Sequence, residues 1–210
     1  MVSRREFLLS ASIALLAPAS CLAARSDGID TLDDTQWLQW QNKLGNEQNA
    51  AFPRTLWVRR GNDEMYIDVY TADGFSRFAW LTRDIRAGNL VGNPDPKIVR
   101  QAVWVQARLA SYGYHEPLII TSGLRTKHTN ETTEGSARAS RHLPRDKFIS
   151  GSYRRLVFDA IDVKLPGVPS SVLASVALEA KDGGVGYYGN DGHVHIDTGP
   201  VRFWKGKRHV

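Results

Sequence analysis

Gly192-His193-Val194-His195-Ile196-Asp197, near the end of the 210-residue chain, is the stretch that decides the fold. Successive side chains of an extended strand alternate between its faces, so the two histidines and Asp197 share one face. Val194 and Ile196 share the other face, which predicts packing against a core. Imidazole and carboxylate groups bind divalent zinc, and a zinc ion that keeps one position for water is a hydrolytic centre. The pattern is typical of a strand that presents metal ligands on one face of a β-sheet. Two histidines that pack across strands on a half-exposed face are the alternative.

The composition fits one globular domain with its own core, since 42% of the residues are hydrophobic and 23% are charged. The formal net charge is +5, and the basic residues are scattered except in the tail at residues 202–209. This scattered distribution, together with the export expected from the N-terminus, argues against nucleic acid as a partner. Two explanations stay open, namely acidic polymers of the cell envelope and simple solubilisation.

The first 24 residues are typical of a twin-arginine signal peptide. Arg4 and Arg5 precede Phe7 and an apolar run over residues 11–17, and small residues follow. A short anchoring helix is the alternative, although the run is shorter than the about 20 residues that a membrane span needs. We expect export to the periplasm and a mature protein with no membrane span. Because Cys21 is the only cysteine, the cleaved protein would use neither a disulfide nor a thiolate.

Hydrophobic periodicity predicts both helices and strands, and therefore an α+β fold. A polar extension over residues 25–52 precedes the domain, which we assign to residues 53–210. We predict helices over residues 75–86, 96–112 and from 169 onward, strands over residues 55–59, 65–70, 118–121, 156–165, 185–188 and 193–197, and a long polar loop over residues 124–156.

Candidate ligands outside the opening stretch come from two further segments. His142 lies in the polar loop and could reach the sheet. Asp162 lies between apolar residues of a predicted buried strand, where a carboxylate is costly unless it is paired or metal-bound. Asp159 is off-face from Asp162, so only one of the two should point into the site. The remaining histidines, which are His115, His128 and His209, lack such partners.

These residues carry a family resemblance. The chain resembles the zinc peptidases of the hedgehog/D-alanyl-D-alanine peptidase family, and in particular its exported murein endopeptidases with twin-arginine signals. The resemblance covers roughly residues 53–204 and rests on the following motifs: Ser122-Gly123-Leu124-Arg125, Ser140-x-His142, Ala160-Ile161-Asp162-Val163, Gly183-Gly184-Val185-Gly186-Tyr187-Tyr188 and His193-x-His195-Ile196-Asp197-Thr198-Gly199-Pro200-Val201-Arg202-x-Trp204.

The resemblance implies a small antiparallel β-sheet flanked by helices, with the zinc cleft on the sheet, and a role for each matching residue. His142, Asp162 and His195 would be the zinc ligands, and water would take the fourth position. His193 would position or deprotonate that water, since no glutamate base is evident nearby. Arg125 would lie beside the scissile carbonyl and stabilise the developing oxyanion. Asp197 is expected to be a hydrogen-bond partner of a ligand histidine.

One departure from the family pattern concerns the interval between His142 and Asp162. The family has a short glycine-containing segment there, whereas here the two residues lie 20 positions apart. The extra residues, 144–155, are either a surface insertion or a flap over the cleft. Asp159 stands near the usual glycine and is an alternative ligand.

The implied function is zinc-dependent hydrolysis of peptide bonds in peptidoglycan stem peptides or cross-links. D,D- or L,D-carboxypeptidase activity is the alternative within the hydrolases. A zinc-stabilised envelope binding module without catalysis is the alternative outside them.

Overall fold

A seven-stranded sheet forms the centre of the protein, whose computed structural model describes residues 53–150, 153–189 and 191–206. The predicted signal peptide (1–24), the extension (25–52) and His209 lie outside the described residues. The strands are β1 (Thr55–Arg60), β2 (Asp63–Asp68), β3 (Leu118–Ser122), β4 (Arg145–Ser150), β5 (Tyr153–Val157), β6 (Ala160–Lys164), β7 (Gly184–Tyr188), β8 (His193–Asp197) and β9 (Arg202–Lys205). The helices are α1 (Ala72–Leu81), α2 (Pro96–Ser111), α3 (Lys127–Glu131) and α4 (Ser170–Glu179).

The strand order of the main sheet is β2-β1-β3-β6-β8-β7-β9, and β4 pairs with β5 in a separate hairpin. The α+β class, with helices flanking the sheet, is confirmed. The sheet is larger than expected and mixed, because β1 runs parallel to β3 and β7 runs parallel to β9. The remaining neighbours are antiparallel, including the central pairs β3–β6, β6–β8 and β8–β7.

The two faces of the central strands have different partners. Ile161, Val163, Val194 and Ile196 are buried in the core with the apolar sides of α2 and α4. Alternation along the strands sends Asp162, His195 and Asp197 to the opposite face. Among the described residues no helix is both long and apolar enough to cross a membrane.

Local sequence explains where the flanking elements begin and turn. Gly61 has a φ of +58° in the two-residue turn between Arg60 and Asp63, a conformation that favours glycine. Asp95 caps α2 by accepting a hydrogen bond from the Lys97 amide at 2.8 Å, and Pro96 occupies the first turn, where no amide donor is required. The predicted hairpin and the predicted second helix are confirmed.

Three sequence expectations were wrong. Helix α1 ends at Leu81, before the predicted residue 86, because the buried Asp84 accepts hydrogen bonds from the backbone amides of Arg86 and Ala87. The predicted strand over 156–165 is broken at Phe158 and Asp159, whose amides bond to other segments. The predicted loop over 124–156 contains α3 and the hairpin β4–β5.

Buried ion pairs fasten the base of this hairpin to the main sheet. Asp159, which is fully buried, accepts hydrogen bonds from Arg141 at 2.5 Å and from Lys147 and Thr198 at 3.1 Å. Arg145 lies 3.6 Å from the same carboxylate. Lys147 also pairs with Asp95, the cap of α2. Three cations therefore share one buried carboxylate, and we call this group the Asp159 cluster.

We predict that Asp159→Asn lowers the free energy of unfolding by about 3 kcal/mol, because it leaves adjacent cations without their buried counter-charge. The matched control is Asp73→Asn, which removes an exposed pair with Arg77 and should cost less than about 0.5 kcal/mol. Urea denaturation measures both values. If Asp159→Asn lowers the free energy of unfolding no more than Asp73→Asn does, the Asp159 cluster does not stabilise the fold.

Candidate metal centre

Three buried side chains from separate segments converge on the polar face of the sheet. His142 Nε2 lies 3.1 Å from His195 Nδ1 and 3.2 Å from Asp162 Oδ1, and His195 Nδ1 lies 2.9 Å from that oxygen. All three residues are at most 8% exposed. The structure thus brings together the three residues that the sequence indicated as ligands, and within the described ranges they form a group that could hold a metal ion.

Strand register and one turn place these side chains. Asp162 of β6 is paired directly with His195 of β8, and residues paired across an antiparallel ladder present their side chains side by side. His142 precedes the hairpin and is held by the turn that follows β3. Its Nδ1 donates to the Gly123 carbonyl at 2.6 Å, and its own carbonyl accepts from the Arg125 amide at 3.0 Å.

The outer hydrogen bonds fix the tautomers of both histidines. Gly123 O can only accept, so His142 carries its proton on Nδ1. Asp197 Oδ2 accepts from His195 Nε2 at 3.1 Å, so that histidine carries its proton on Nε2. The inner nitrogens then both present lone pairs, and they face each other together with a carboxylate oxygen. Three converging acceptors are stabilised by a positive charge between them, which a metal ion or a proton on His195 Nδ1 can supply.

The donor set fits a zinc ion. Zinc–nitrogen and zinc–oxygen bonds of about 2.0–2.1 Å in a tetrahedron separate neighbouring ligand atoms by about 3.3 Å. The observed separations of 2.9–3.2 Å are close to that value. The outer hydrogen bonds of His142 and His195 are also of the kind that metal-ligating histidines make.

The electrostatic environment favours an anionic Asp162 and shifts the pKa values of the two histidines in opposite directions. Burial opposes the charge of Asp162, yet His142 and His195 hold the pKa of that carboxyl well below its usual range. Burial lowers the pKa of His142. Burial also acts against charge on His195, but hydrogen bonds to Asp162 and Asp197 outweigh it and raise the pKa of that imidazole. His195 is therefore the group whose proton competes with a cation for the site.

Asp197 is the hydrogen-bond partner of the outer nitrogen of His195, as the sequence indicated. It is fully buried and accepts from Arg202 Nη2 at 2.6 Å and from the Gly199 amide at 2.7 Å. Burial acts against its charge, but these partners and His195 lower the pKa of Asp197 to about 2. Asp197 is thus an anion that orients the ligand histidine.

Arg125 lies against Asp162. Its Nη2 donates to Asp162 Oδ2 at 2.6 Å, its Nε to Ser122 at 2.9 Å and its Nη1 to Ser136 at 3.0 Å. These bonds occupy three of the five N–H groups of a guanidinium. Arg125 therefore holds the outer oxygen of Asp162, and its action on an oxyanion stays a prediction.

His193 lies beside the three candidate ligands, on the same face of β8 as His195. Its ring stacks on Tyr188 with the ring centroids 4.6 Å apart, and the side chain is half-buried in the cleft. Burial lowers the pKa of His193, which favours a neutral imidazole at neutral pH. A neutral imidazole at this place can accept a proton.

Other sequence candidates do not reach the centre. Asp159 pairs with Arg141 instead of a histidine, so the carboxylate that faces the imidazoles is Asp162. His115 and His128 are exposed on the surface. Ser136, which binds Arg125, was missed because a serine in a polar loop carries no pattern.

The centre lies where two parts of one cleft meet. One cavity has a volume of about 1000 Å³ and is lined by His142, Asp162 and His195, and a second has a volume of about 410 Å³. Arg125, Asp162 and His193 line both. The two cavities therefore adjoin at the candidate ligands.

The α+β fold and the His-Asp-His centre define a metallopeptidase of the M15 class. A model of this class, described as peptidoglycan L,D-endopeptidase MepK, matches residues 61–204, and the chain belongs to that family. It is 32% identical over 162 residues to the probable peptidoglycan L,D-endopeptidase MepK of Haemophilus influenzae, covering 73% of this chain and 80% of that protein. It is 31% identical over 139 residues to the peptidoglycan L,D-endopeptidase MepK of Escherichia coli K12, covering 64% of this chain and 67% of that protein. No solved structure matches the chain.

We predict that the purified protein binds one zinc ion and that His142→Ala, Asp162→Ala and His195→Ala each weaken binding by more than about 100-fold. Loss of an outer hydrogen-bond partner alone costs about 10–100-fold, and these variants lose a ligand atom. Elemental analysis gives the stoichiometry, and competition with a chromophoric chelator gives the affinity. His128→Ala, at a surface histidine of α3, is the matched control. Unchanged zinc binding in any of the three variants would remove that residue from the ligand set.

Proposed function

We propose that this protein is a zinc-dependent peptidoglycan endopeptidase that cleaves L,D-peptide bonds in cross-links. The observation that carries the proposal is the position of the His142, Asp162 and His195 group where two cavities adjoin, in a chain of the M15 family. The names of its curated relatives supply the substrate and the type of bond.

The shape of the cleft favours cleavage within a chain over removal of a terminal residue. A carboxypeptidase needs room for only one residue beyond the scissile bond, whereas here a second cavity of about 410 Å³ adjoins the larger one at Arg125 and His193. A cross-link places peptide on both sides of the bond, and both cavities would then be filled.

The charge of the cleft fits the substrate. Both cavities present arginines, and the free carboxylates of stem peptides are attracted to such side chains. Basic residues outnumber acidic ones in each cavity: Arg125, Arg141, Arg145, Arg202 and Lys205 against Glu134, Asp162, Asp191 and Asp197 in the larger one, and Arg60, Arg86 and Arg125 against Asp84 and Asp162 in the smaller one. Electrostatic attraction would bring a carboxylate-rich peptide into the cleft.

When bound, zinc would polarise the scissile carbonyl and lower the pKa of a bound water toward about 7. The residues that would hold it are His142, Asp162 and His195. His193, neutral and half-buried beside them, would accept the proton of the attacking water at its ring nitrogen and later pass it to the leaving amine. Stacking on Tyr188 keeps this imidazole in place during both transfers.

Arg125 would contribute in two ways. Its bond to Asp162 keeps that carboxylate facing the histidines. Its two N–H groups beyond the contacts with Ser122, Ser136 and Asp162 are available to a developing oxyanion in the cleft. A fixed guanidinium stabilises such a charge without reorganising at the moment of reaction.

Peptidoglycan cleavage requires that the enzyme reach the periplasm. The twin-arginine pattern within residues 1–24 would direct this export, and removal of the segment would leave the catalytic domain over residues 53–210 with its polar extension.

We predict that purified protein cleaves muropeptide dimers with an L,D cross-link and that a chelator abolishes the cleavage until zinc is restored. His193→Ala should lower kcat by about 100-fold or more and leave zinc content unchanged, because only the proton acceptor is lost. Liquid chromatography of the products measures the rates, and His128→Ala is the matched control.

Three results would overturn the proposal in different ways. Cleavage that survives chelation would exclude a metal mechanism. Release of single terminal residues from linear stems, with intact dimers, would identify a carboxypeptidase. Binding of peptidoglycan and zinc without any cleavage would identify a binding module.

We further propose that the hairpin β4–β5 is a fixed wall of the cleft that affects the choice of substrate. Arg145 at its base lines the larger cavity, and the Asp159 cluster ties the same base to the sheet. A wall fastened by buried ion pairs does not need to move for substrate to enter.

Shortening the hairpin tests this role. We predict that replacing residues 148–154 by Asn-Gly, which joins the paired residues Lys147 and Arg155 through a two-residue turn, preserves zinc content and the Asp159 cluster. Cleavage of polymeric peptidoglycan should fall several-fold because the wall is shorter. Unchanged cleavage of both polymer and dimers would show that the hairpin is a surface insertion without a role in substrate choice.

A further inference from the structure

The edge strand β9 is in register with the centre of the site, two strands away. Gly184 of β7 is paired with Asp197 on one side and with Arg202 on the other. Two residues along β7, Gly186 is paired with His195 and with Trp204. Paired residues share a face of the sheet. Arg202 and Trp204 are thus in line with the residues that form the site.

Gly184 and Gly186 of β7 carry no side chains, so the side chains of Arg202 and Trp204 can extend across this strand. A Cβ atom at Gly184 would lie 2.6 Å from Arg202 Nη1 and 2.7 Å from Asp197 Oδ2. A Cβ atom at Gly186 would lie 2.6 Å from two ring atoms of Trp204. Any larger residue at either position would occupy the space through which β9 contacts β8.

The side chains that cross reach His195 by two routes. Arg202 donates through Nη2 to Asp197 Oδ2 at 2.6 Å, and that oxygen accepts the Nε2 proton of His195 at 3.1 Å. Trp204 packs directly on the His195 ring, with the ring centroids 5.2 Å apart. Arg202 also lies over the indole of Trp204 at 4.8 Å, which joins the two routes.

The same strand reaches the second histidine of the pair. Trp204 Nε1 donates to the Tyr188 hydroxyl at 3.2 Å. The Tyr188 ring in turn stacks on His193. Both imidazoles of the His-x-His pair are therefore in contact, directly or through one residue, with side chains of a single edge strand.

We propose that Arg202 and Trp204 are positioning residues that fix the orientation of the His195 ring and so set the affinity of the metal centre, and that Gly184 and Gly186 are required because they let these side chains reach β8. The inference rests on the metal site of the proposed function. Arg202 and Trp204 act through Asp197 and His195 and need not touch substrate.

Metal affinity tests the two side chains. Arg202→Met and Trp204→Ala should each weaken zinc binding about 10-fold, as expected for the loss of a group that orients a ligand. Both should change the visible absorption of the cobalt-substituted protein, which reports ligand geometry. Trp204→Phe keeps an aromatic ring against His195 and should restore the affinity to within about three-fold. Phe203→Ala is the matched control, since Phe203 lies between them on β9 and is 47% exposed.

A double-mutant cycle tests the role of Gly186. Gly186→Ala should weaken zinc binding about 10-fold in the wild type, because the new methyl group displaces the indole. The same change should have an effect of less than about three-fold in a Trp204→Ala background, where no indole remains to be displaced. Additive losses would show that Gly186 acts independently of Trp204.

The remaining outcomes separate this inference from the proposed function. Wild-type zinc affinity and cobalt spectra in Arg202→Met and Trp204→Ala, together with a raised KM, would overturn the inference and make these residues substrate contacts. A general loss of folding in both variants, with lowered thermal stability and equal weakening in Phe203→Ala, would also overturn it. Failure of the wild-type protein to bind zinc or cobalt would overturn the metal site itself.

Discussion

Two outer hydrogen bonds determine what the centre of this protein can hold. One runs from His142 to the Gly123 carbonyl, and the other runs from His195 to Asp197. Each commits the single proton of a neutral imidazole to the outside of the site, so the inner nitrogens can only accept. With Asp162 between them, the arrangement is unfavourable without positive charge. The backbone turn and the carboxylate on the outer side of the two histidines thereby favour a positive charge at this buried position.

A row of buried charged side chains continues from this centre. Asp197 and Asp159 are both fully buried, and Arg141 contacts both. Arg202 neutralises one end of the row, and Lys147 neutralises the other. Such pairs contribute modestly to stability compared with apolar packing, but an incorrectly paired arrangement is costly. The row therefore specifies one arrangement of β8, β9 and the hairpin, and with it one geometry of the site.

Much of the fold and the assembly of the candidate ligands could be predicted from local pattern. Alternation placed His195 and Asp197 on the polar face of a strand, and the cost of a buried carboxylate pointed to Asp162. The hairpin at residues 145–157 could not be predicted. Its sequence shows no clear alternation of polar and apolar residues, and its base depends on a contact between Lys147 and Asp95, which lies 52 positions earlier in the chain. Arg125 illustrates the same limit, since its pairing with Asp162 is decided by the turn after β3. Interactions between distant segments leave no periodic signal in the sequence.

The position of β8 in the sheet has a consequence for the order in which the molecule forms. β8 lies between β6 and β7, although it follows both in the chain. During synthesis Asp162 emerges from the ribosome more than 30 residues before His195. Until β8 inserts, β6 and β7 have no shared neighbour, and the ligands cannot meet. A nascent or truncated chain that lacks β8 also lacks His195, so the peptidase stays incomplete until this strand has paired with both of its neighbours.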